Sequence, residues 1–244
     1  MMSTKKNTVY YSNRDGVAAR VSRDLISEVF GKLSETLSSP STLGFIERTR
    51  IPNERELYGV FIYSLNNSLP NLGHISTEFQ VGRSEDAKGR VDLFFEYRNT
   101  SFLLELKVAR IGLSGEFNEI DDEERDTKAR ITKPWNGVVE QLNNLDTSTL
   151  SSCLQKKVVK IGMVIYLHVD WRKNGPQVDW EKMSELTHDL VIADLREIEP
   201  EFSYFSVLDR PIRTRNRRTA LSEDHDMSMY GFTFVASTFM AHTG

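Results

Sequence analysis

The chain has 244 residues, with 31 Lys or Arg against 35 Asp or Glu and a formal net charge of −4. Hydrophobic residues at 39%, with 14 Gly and 7 Pro, exclude a collagen-like chain, a coiled-coil rod and a wholly disordered polymer. No run approaches the ~20 apolar residues that span a bilayer, and the lone Cys153 excludes an internal disulfide and a Cys-rich zinc site.

A single domain over 1–244 is expected, since domains usually run to about 100–200 residues and some reach about 250. No apolar stretch follows Met1 to Asn7, so a signal peptide is not expected. The reading is a cytoplasmic protein with no membrane partner. Residues 1–14 are polar and read as loose. Val17, Val21, Leu25, Ile26, Val29, Phe30 and Leu33 then fall at three- and four-residue spacings, which predicts an N-terminal amphipathic helix over 15–38. Ser38 to Thr42, with Pro40, predicts its end. Asn53 with Glu56 three residues on reads as a capping box opening a second helix. Leu57, Val60, Phe61 and Leu65 line one face of it.

Three strand-like runs follow, His74 to Val81, Arg90 to Tyr97 and Ser101 to Val108, separated by turn signals. Seven carboxylates then crowd into Gly115 to Asp126, which reads as a solvated loop or exposed helix. Pro134 to Leu145 predicts a helix with Pro in its first turn. Val158 to Val169 predicts a central strand and Trp180 to Leu195 another amphipathic helix. Phe202 to Leu208 and Tyr230 to Phe239 predict late strands paired as a hairpin, within a C-terminal elaboration over 171–244. The alternation of helices and strands predicts a mixed α/β fold.

The third strand carries the anomaly. Phe102, Leu104, Leu106 and Val108 alternate toward a core, while Leu103, Glu105 and Lys107 share the other face. Burying unpaired charge is expensive, so Glu105 and Lys107 either neutralise each other or do chemistry. In the preceding strand Val91, Leu93, Phe95 and Tyr97 share a face, and Asp92 lies on the other. A two-residue turn at Asn99-Thr100 sets Asp92 opposite Lys107 and Phe94 opposite Glu105. Asp92 and Glu105 then become diagonal neighbours ~7–8 Å apart at Cα. Two carboxylates so placed can grip one hard divalent cation. A Lys beside them can orient a nucleophilic water or stabilise phosphate charge. A three-residue turn would instead put the acids on opposite faces.

Asp92, twelve residues, then Glu105-Leu106-Lys107, set on two adjacent strands, resembles the PD-(D/E)XK nuclease signature. The Pro of that signature is replaced here by Val91. A helical Glu ahead of the first strand is typical of many members, and Glu56 matches it. The Gln that some members carry in the helix after the Lys strand is matched by Gln141, although the aromatic that often follows is absent and the gap from Lys107 is long. The resemblance spans roughly Glu56 to Val169. It implies a restriction-endonuclease-like mixed β-sheet core, αβββαβ, over about 51–170, flanked by helices and extended by the N-terminal helix and C-terminal strands. It implies phosphodiester hydrolysis with Mg²⁺ or Mn²⁺ held by Asp92, Glu105, the Leu106 carbonyl and Glu56. Lys107 would position the attacking water, and Gln141 joins the catalytic set. The implied substrate is DNA, with RNA an open alternative, and members often act as homodimers or with a partner subunit.

Glu56 keeps two readings, capping-box partner and metal-site acid. Arg210, Arg213, Arg215, Arg217 and Arg218 put five guanidinium groups into nine residues of an acidic chain, and the forked group matches phosphate oxygens. They are the expected nucleic-acid contacts, with pairing to the 116–126 carboxylates as the alternative. The five His show no metal-ligand spacing and read as structural or exposed. A rival function is a catalytically silent nuclease-like module that binds nucleic acid or a partner, for which a broken triad would be the sign.

Overall fold

A computed structural model describes residues 8–11, 17–49, 51–83, 88–112, 123–170, 179–195, 200–216 and 225–240. Among them, eight strands form one sheet in the order β1-β7-β8-β6-β4-β3-β2-β5. In chain order the elements are β1 (Thr8–Tyr11), α1 (Val17–Leu37), α2 (Pro40–Arg48), α3 (Glu54–Ser68), β2 (Ile75–Arg83), β3 (Lys88–Tyr97) and β4 (Thr100–Ile111). Then come α4 (Glu123–Asn143), β5 (Leu145–Asp146), α5 (Ser148–Leu154), β6 (Lys157–Asp170), α6 (Trp180–Asp194), β7 (Phe202–Asn216) and β8 (His225–Met240). The chain is a mixed α/β protein. Strands β2, β3 and β4 form an antiparallel meander. β4 and β6 run parallel, and α4 supplies the crossover that a parallel pair requires.

Two apolar layers hold helices to the sheet. Leu25, Val29, Phe30 and Leu33 of α1 and Leu57, Phe61 and Leu65 of α3 pack on the face of Phe95, Phe102, Leu104 and Leu106. On the other face Ile131, Trp135, Val138 and Leu142 of α4 pack with Leu103, Val164 and Tyr166. Those α4 residues recur at four-, three- and four-residue intervals, the buried stripe of a helix. Gly162 of β6 lets the helix come close, because a Cβ there would lie 2.5 Å from Val138 Cγ1. Buried Lys160 donates to the Leu142 and Leu145 carbonyls at 2.9 and 2.8 Å, capping the C-terminal end of α4. Among the described residues no helix is long and apolar enough to cross a membrane.

Several expectations change. The N-terminal stretch read as loose contributes β1, which pairs with β7. Ser38 to Thr42 does not end the helical region: Ser39 caps a new helix by accepting from the Thr42 N–H, with Pro40 in its first turn. Pro134 lies inside α4, which starts eleven residues earlier at Glu123. Pro134 has no N–H for the carbonyl four residues back, so α4 carries one missing ladder bond there. The acidic stretch to residue 122 lies outside the described residues. The late strands are longer than expected, and Arg210, Arg213 and Arg215 belong to β7. Arg217 and Arg218 fall outside the described residues.

His168 and His188 are buried, and both share Thr233 as hydrogen-bond partner, at 3.0 and 3.1 Å. Burial, with His188 adding, holds the His168 pKa well below the usual value.

Replacing Lys160 with Met keeps the aliphatic bulk and strips two buried carbonyls of their donor. At roughly 1–3 kcal/mol for a buried acceptor left unsatisfied, denaturant unfolding should show a clearly lower midpoint. An unchanged midpoint contradicts the capping role.

Candidate active site

The β3–β4 turn consists of Arg98 and Asn99, both at positive φ, 45° and 58°. Tyr97 therefore pairs with Thr100, Phe94 with Leu103 and Leu93 with Leu104. This register differs by two residues from the expected one. Continued, it would bring Asp92 level with Glu105 rather than Lys107. The pairing stops at Leu93 and Leu104, and the strands fork.

Asp92 closes the fork with its side chain. Its Oδ2 accepts the Leu106 N–H at 2.7 Å, and its Oδ1 accepts the Tyr58 hydroxyl of α3. In a strand the N–H and C=O of one residue address the same neighbour, so the Leu106 carbonyl also faces the fork. A break in β2 and β3 accompanies this. Glu78, across from Asp92, has φ 55°. Val91 belongs to the α4-side core, while Leu93 belongs to the α3-side core. The expected shared face of Val91 and Leu93 is thus lost at Asp92.

Glu105 is 2% exposed and Asp92 7%. Lys107 Nζ lies 2.9 Å from Glu105 Oε1 and 3.6 Å from Glu54 Oε1. Burial, with the Asp92 charge adding and Lys107 opposing, pushes the Glu105 carboxyl up to about 7. Burial likewise raises Glu54, against the pull of Lys107. For Lys107 burial works to lower the pKa, but the Glu105 hydrogen bond and the charges of Glu105, Glu54 and Asp92 outweigh it and the pKa rises. Lys107 therefore stays an ammonium among acids.

The helical acid at this site is Glu54. Glu56 is turned away: its Oε2 accepts the Asn53 N–H at 2.8 Å, and Asn53 Oδ1 accepts the Glu56 N–H at 3.2 Å, a complete capping box. Two residues are about 200° apart around a helix, so the two glutamates cannot face the same fork. Arg110 at the end of β4 donates to the Ile51 carbonyl at 3.0 Å and ties the start of α3 to this strand. Glu54 and Tyr58 are spaced i, i+4 and share a helix face, a spacing that becomes a signal only once the phase of the helix against the strand is known.

Gln141 lies on α4 between Val138 and Leu142, the residues that press on Gly162, the strand neighbour of Glu105. Its Oε1 is buried and has no hydrogen-bond partner among the described residues, which leaves it open to a water or an ion. The β7 arginines lie apart. β6 and β8 intervene between β4 and β7, about 14 Å at the usual strand spacing. Arg210 pairs with Glu47 at 2.8 Å, and Arg213 is exposed.

Among the described residues no three His, Cys, Asp or Glu side chains converge as a metal cage. The oxygens facing the fork are two carboxylates and one carbonyl. That set suits Mg²⁺, which takes one or two carboxylates and fills its shell with waters and phosphate oxygens. Asp92 and Glu105 are both buried here, and Lys107 is the cation bonded to Glu105. The chain matches no protein-family model, no curated protein and no solved structure.

Glu105 supplies a pH test. Between about pH 4.5 and 7 the folded state keeps a proton that the unfolded chain has lost, so stability falls as pH rises through that window. Above it the full penalty stands. Glu105→Gln removes the charge and should raise stability at pH 8 by roughly 1–3 kcal/mol, at 1.36 kcal/mol per pK unit. The gain should vanish near pH 4. A loss of stability at pH 8 would make Glu105–Lys107 a structural ion pair.

Proposed function

We propose that the chain is a divalent-metal-dependent nuclease of the PD-(D/E)XK type that hydrolyses phosphodiester bonds of DNA. The observation that carries the reading is the forked strand pair, where Asp92, Glu105 and the Leu106 carbonyl meet Lys107 and Glu54. The order α3, β2, β3, β4, α4, β6, interrupted by the short β5 and α5 and with β4 and β6 parallel, supports the restriction-endonuclease-like core.

Asp92, Glu105 and the Leu106 carbonyl would hold Mg²⁺ or Mn²⁺, with Glu54 nearby. Bound there, the ion would polarise the phosphate and lower the pKa of a water. The chain's own contribution is preorganisation. Tyr58 and the Leu106 N–H fix both oxygens of Asp92, so its remaining lone pairs point in set directions. Lys107 is kept charged by Glu105 and Glu54, and its ammonium donates to the attacking water or to a non-bridging phosphate oxygen. Such donors work best when they are already aimed before charge develops. Water attacks phosphorus, the ester P–O bond breaks, and the leaving oxygen takes up a proton.

Asp92→Ala and Lys107→Ala should each lower cleavage of plasmid or single-stranded DNA in Mg²⁺ by roughly 10³-fold, several kcal/mol of barrier at 1.36 kcal/mol per decade. Glu54→Gln should cut the rate by ~10–100-fold, the scale of a supporting group at a metal site. Glu56→Gln preserves a capping-box acceptor and should cleave like wild type. Full activity in the Asp92 or Lys107 variant rejects the assignment. A Glu56 defect larger than that of Glu54 reverses the choice of helical acid.

A further inference from the structure

Beside Lys107, between the end of β4 and the outer side of α4, lies a cleft of about 540 Å³. Its wall includes Lys107 and Arg110 from β4 and Arg130 and Lys133 from α4, with Val108, Ala109, Ala129, Pro134 and Gly137 between them. Arg130 and Lys133 are exposed. Among the described residues the wall holds four cationic side chains, no carboxylate and no aromatic ring. The four cationic side chains stand on a chain of net charge −4, with Lys107 itself bonded to Glu105.

We infer that this cleft seats the sugar–phosphate backbone flanking the scissile bond, with Arg130 and Lys133 as its phosphate contacts, and that it reads charge rather than bases. The inference rests on the nuclease reading of the adjoining site. Three features support it. The cleft shares Lys107 with the forked-strand site, so a strand whose phosphate reaches Lys107 continues into it. Cationic groups on both walls suit a chain of repeating anions, and a Lys or Arg set against a phosphate releases a condensed counterion. Binding of bases without pairing relies on aromatic platforms, and here the surface between the charges is Val, Ala, Pro and Gly, which suits sugar contact without stacking. Gly137 adds clearance: beyond its chain neighbours and its own helix backbone, a Cβ there would meet nothing within 4 Å. This places the main electrostatic contacts on α4, not on the arginines of β7 three strands away.

The test measures binding of the full chain to labelled oligonucleotides in Ca²⁺, which should support binding without cleavage. Single and double strands of two base compositions are titrated at several salt concentrations. Arg130→Ala with Lys133→Ala should flatten the dependence of log K on log salt by roughly 1.8 for duplex or 1.4 for single strands, two phosphates at about 0.9 or 0.7 each. The loss should be the same for both compositions. Arg213→Ala should change the slope less. Gly137→Leu removes no charge and should weaken binding at an unchanged slope.

An unchanged slope in the double variant, a loss confined to one base composition, or wild-type affinity in Gly137→Leu overturns the cleft. If Asp92→Ala abolishes cleavage while the cleft variants bind as wild type, the cleft fails and the nuclease reading stands. If the double variant flattens the slope but wild type cleaves no substrate in Mg²⁺, the nuclease reading fails and the cleft stands as a nucleic-acid site.

Discussion

Past Leu93 and Leu104 the two central strands stop exchanging hydrogen bonds, and the carboxylate of Asp92 accepts the Leu106 N–H that a neighbouring strand would otherwise take. The fork therefore does not leave the Leu106 N–H unpaired. It exchanges a ladder bond for a charge-assisted one, and charged acceptors give the shorter and stronger bonds. The same carboxylate takes the Tyr58 hydroxyl and so fixes α3 against the fork. Removing Asp92 would leave both donors without this acceptor.

The fork is also where the fold carries its electrostatic conflict. Asp92 and Glu105 are both buried, and one ammonium, Lys107, bonds to Glu105. On the α4 side the same strands carry buried Leu103, Val164 and Tyr166, and burial strengthens charge interactions. A core needs none of this. A protein that only had to be stable would do as well with apolar residues of similar size at these positions. The arrangement makes sense when the charge is used, and a divalent cation with a phosphate ligand is the partner that the oxygens and the ammonium would jointly suit.

Much of this was legible in the sequence. The three strand runs, the central strand from Val158 and the three residues Asp92, Glu105 and Lys107 follow from alternation and spacing, because strand periodicity is strict and charges in apolar runs stand out, whereas the parallel pairing of β4 with β6 is not something alternation supplies. The register was not legible. The turn was read at Asn99-Thr100, whereas the chain uses Arg98 and Asn99, and an Arg at positive φ is unfavourable enough that local rules do not anticipate it. The kink at Asp92 was equally hidden, since it accompanies a positive φ of 55° at Glu78 on the neighbouring strand, which local rules do not anticipate for a Glu. Glu56 drew attention through its capping-box spacing, and that local bond is where its carboxylate goes. Glu54, one position after the N-cap, had no motif to mark it. Only the helix phase, fixed by Tyr58 and the strand it meets, sets Glu54 beside Lys107. Pro40 and Pro134 misled for a related reason: Pro marks helix starts and stops alike, and packing decides which.

Asp92 and Glu105 are proposed to form one cation site at the strand fork. Titration calorimetry of the full chain with Mn²⁺ or Mg²⁺, in two buffers of different ionisation enthalpy, tests it most directly. Glu105 titrates near pH 7 before a cation arrives, and metal binding needs it deprotonated. Binding should be saturable, release about one proton at pH 6 and close to none at pH 8, and be lost in Asp92→Asn. Equal binding in wild type and Asp92→Asn, or binding with no proton released at pH 6, would contradict it.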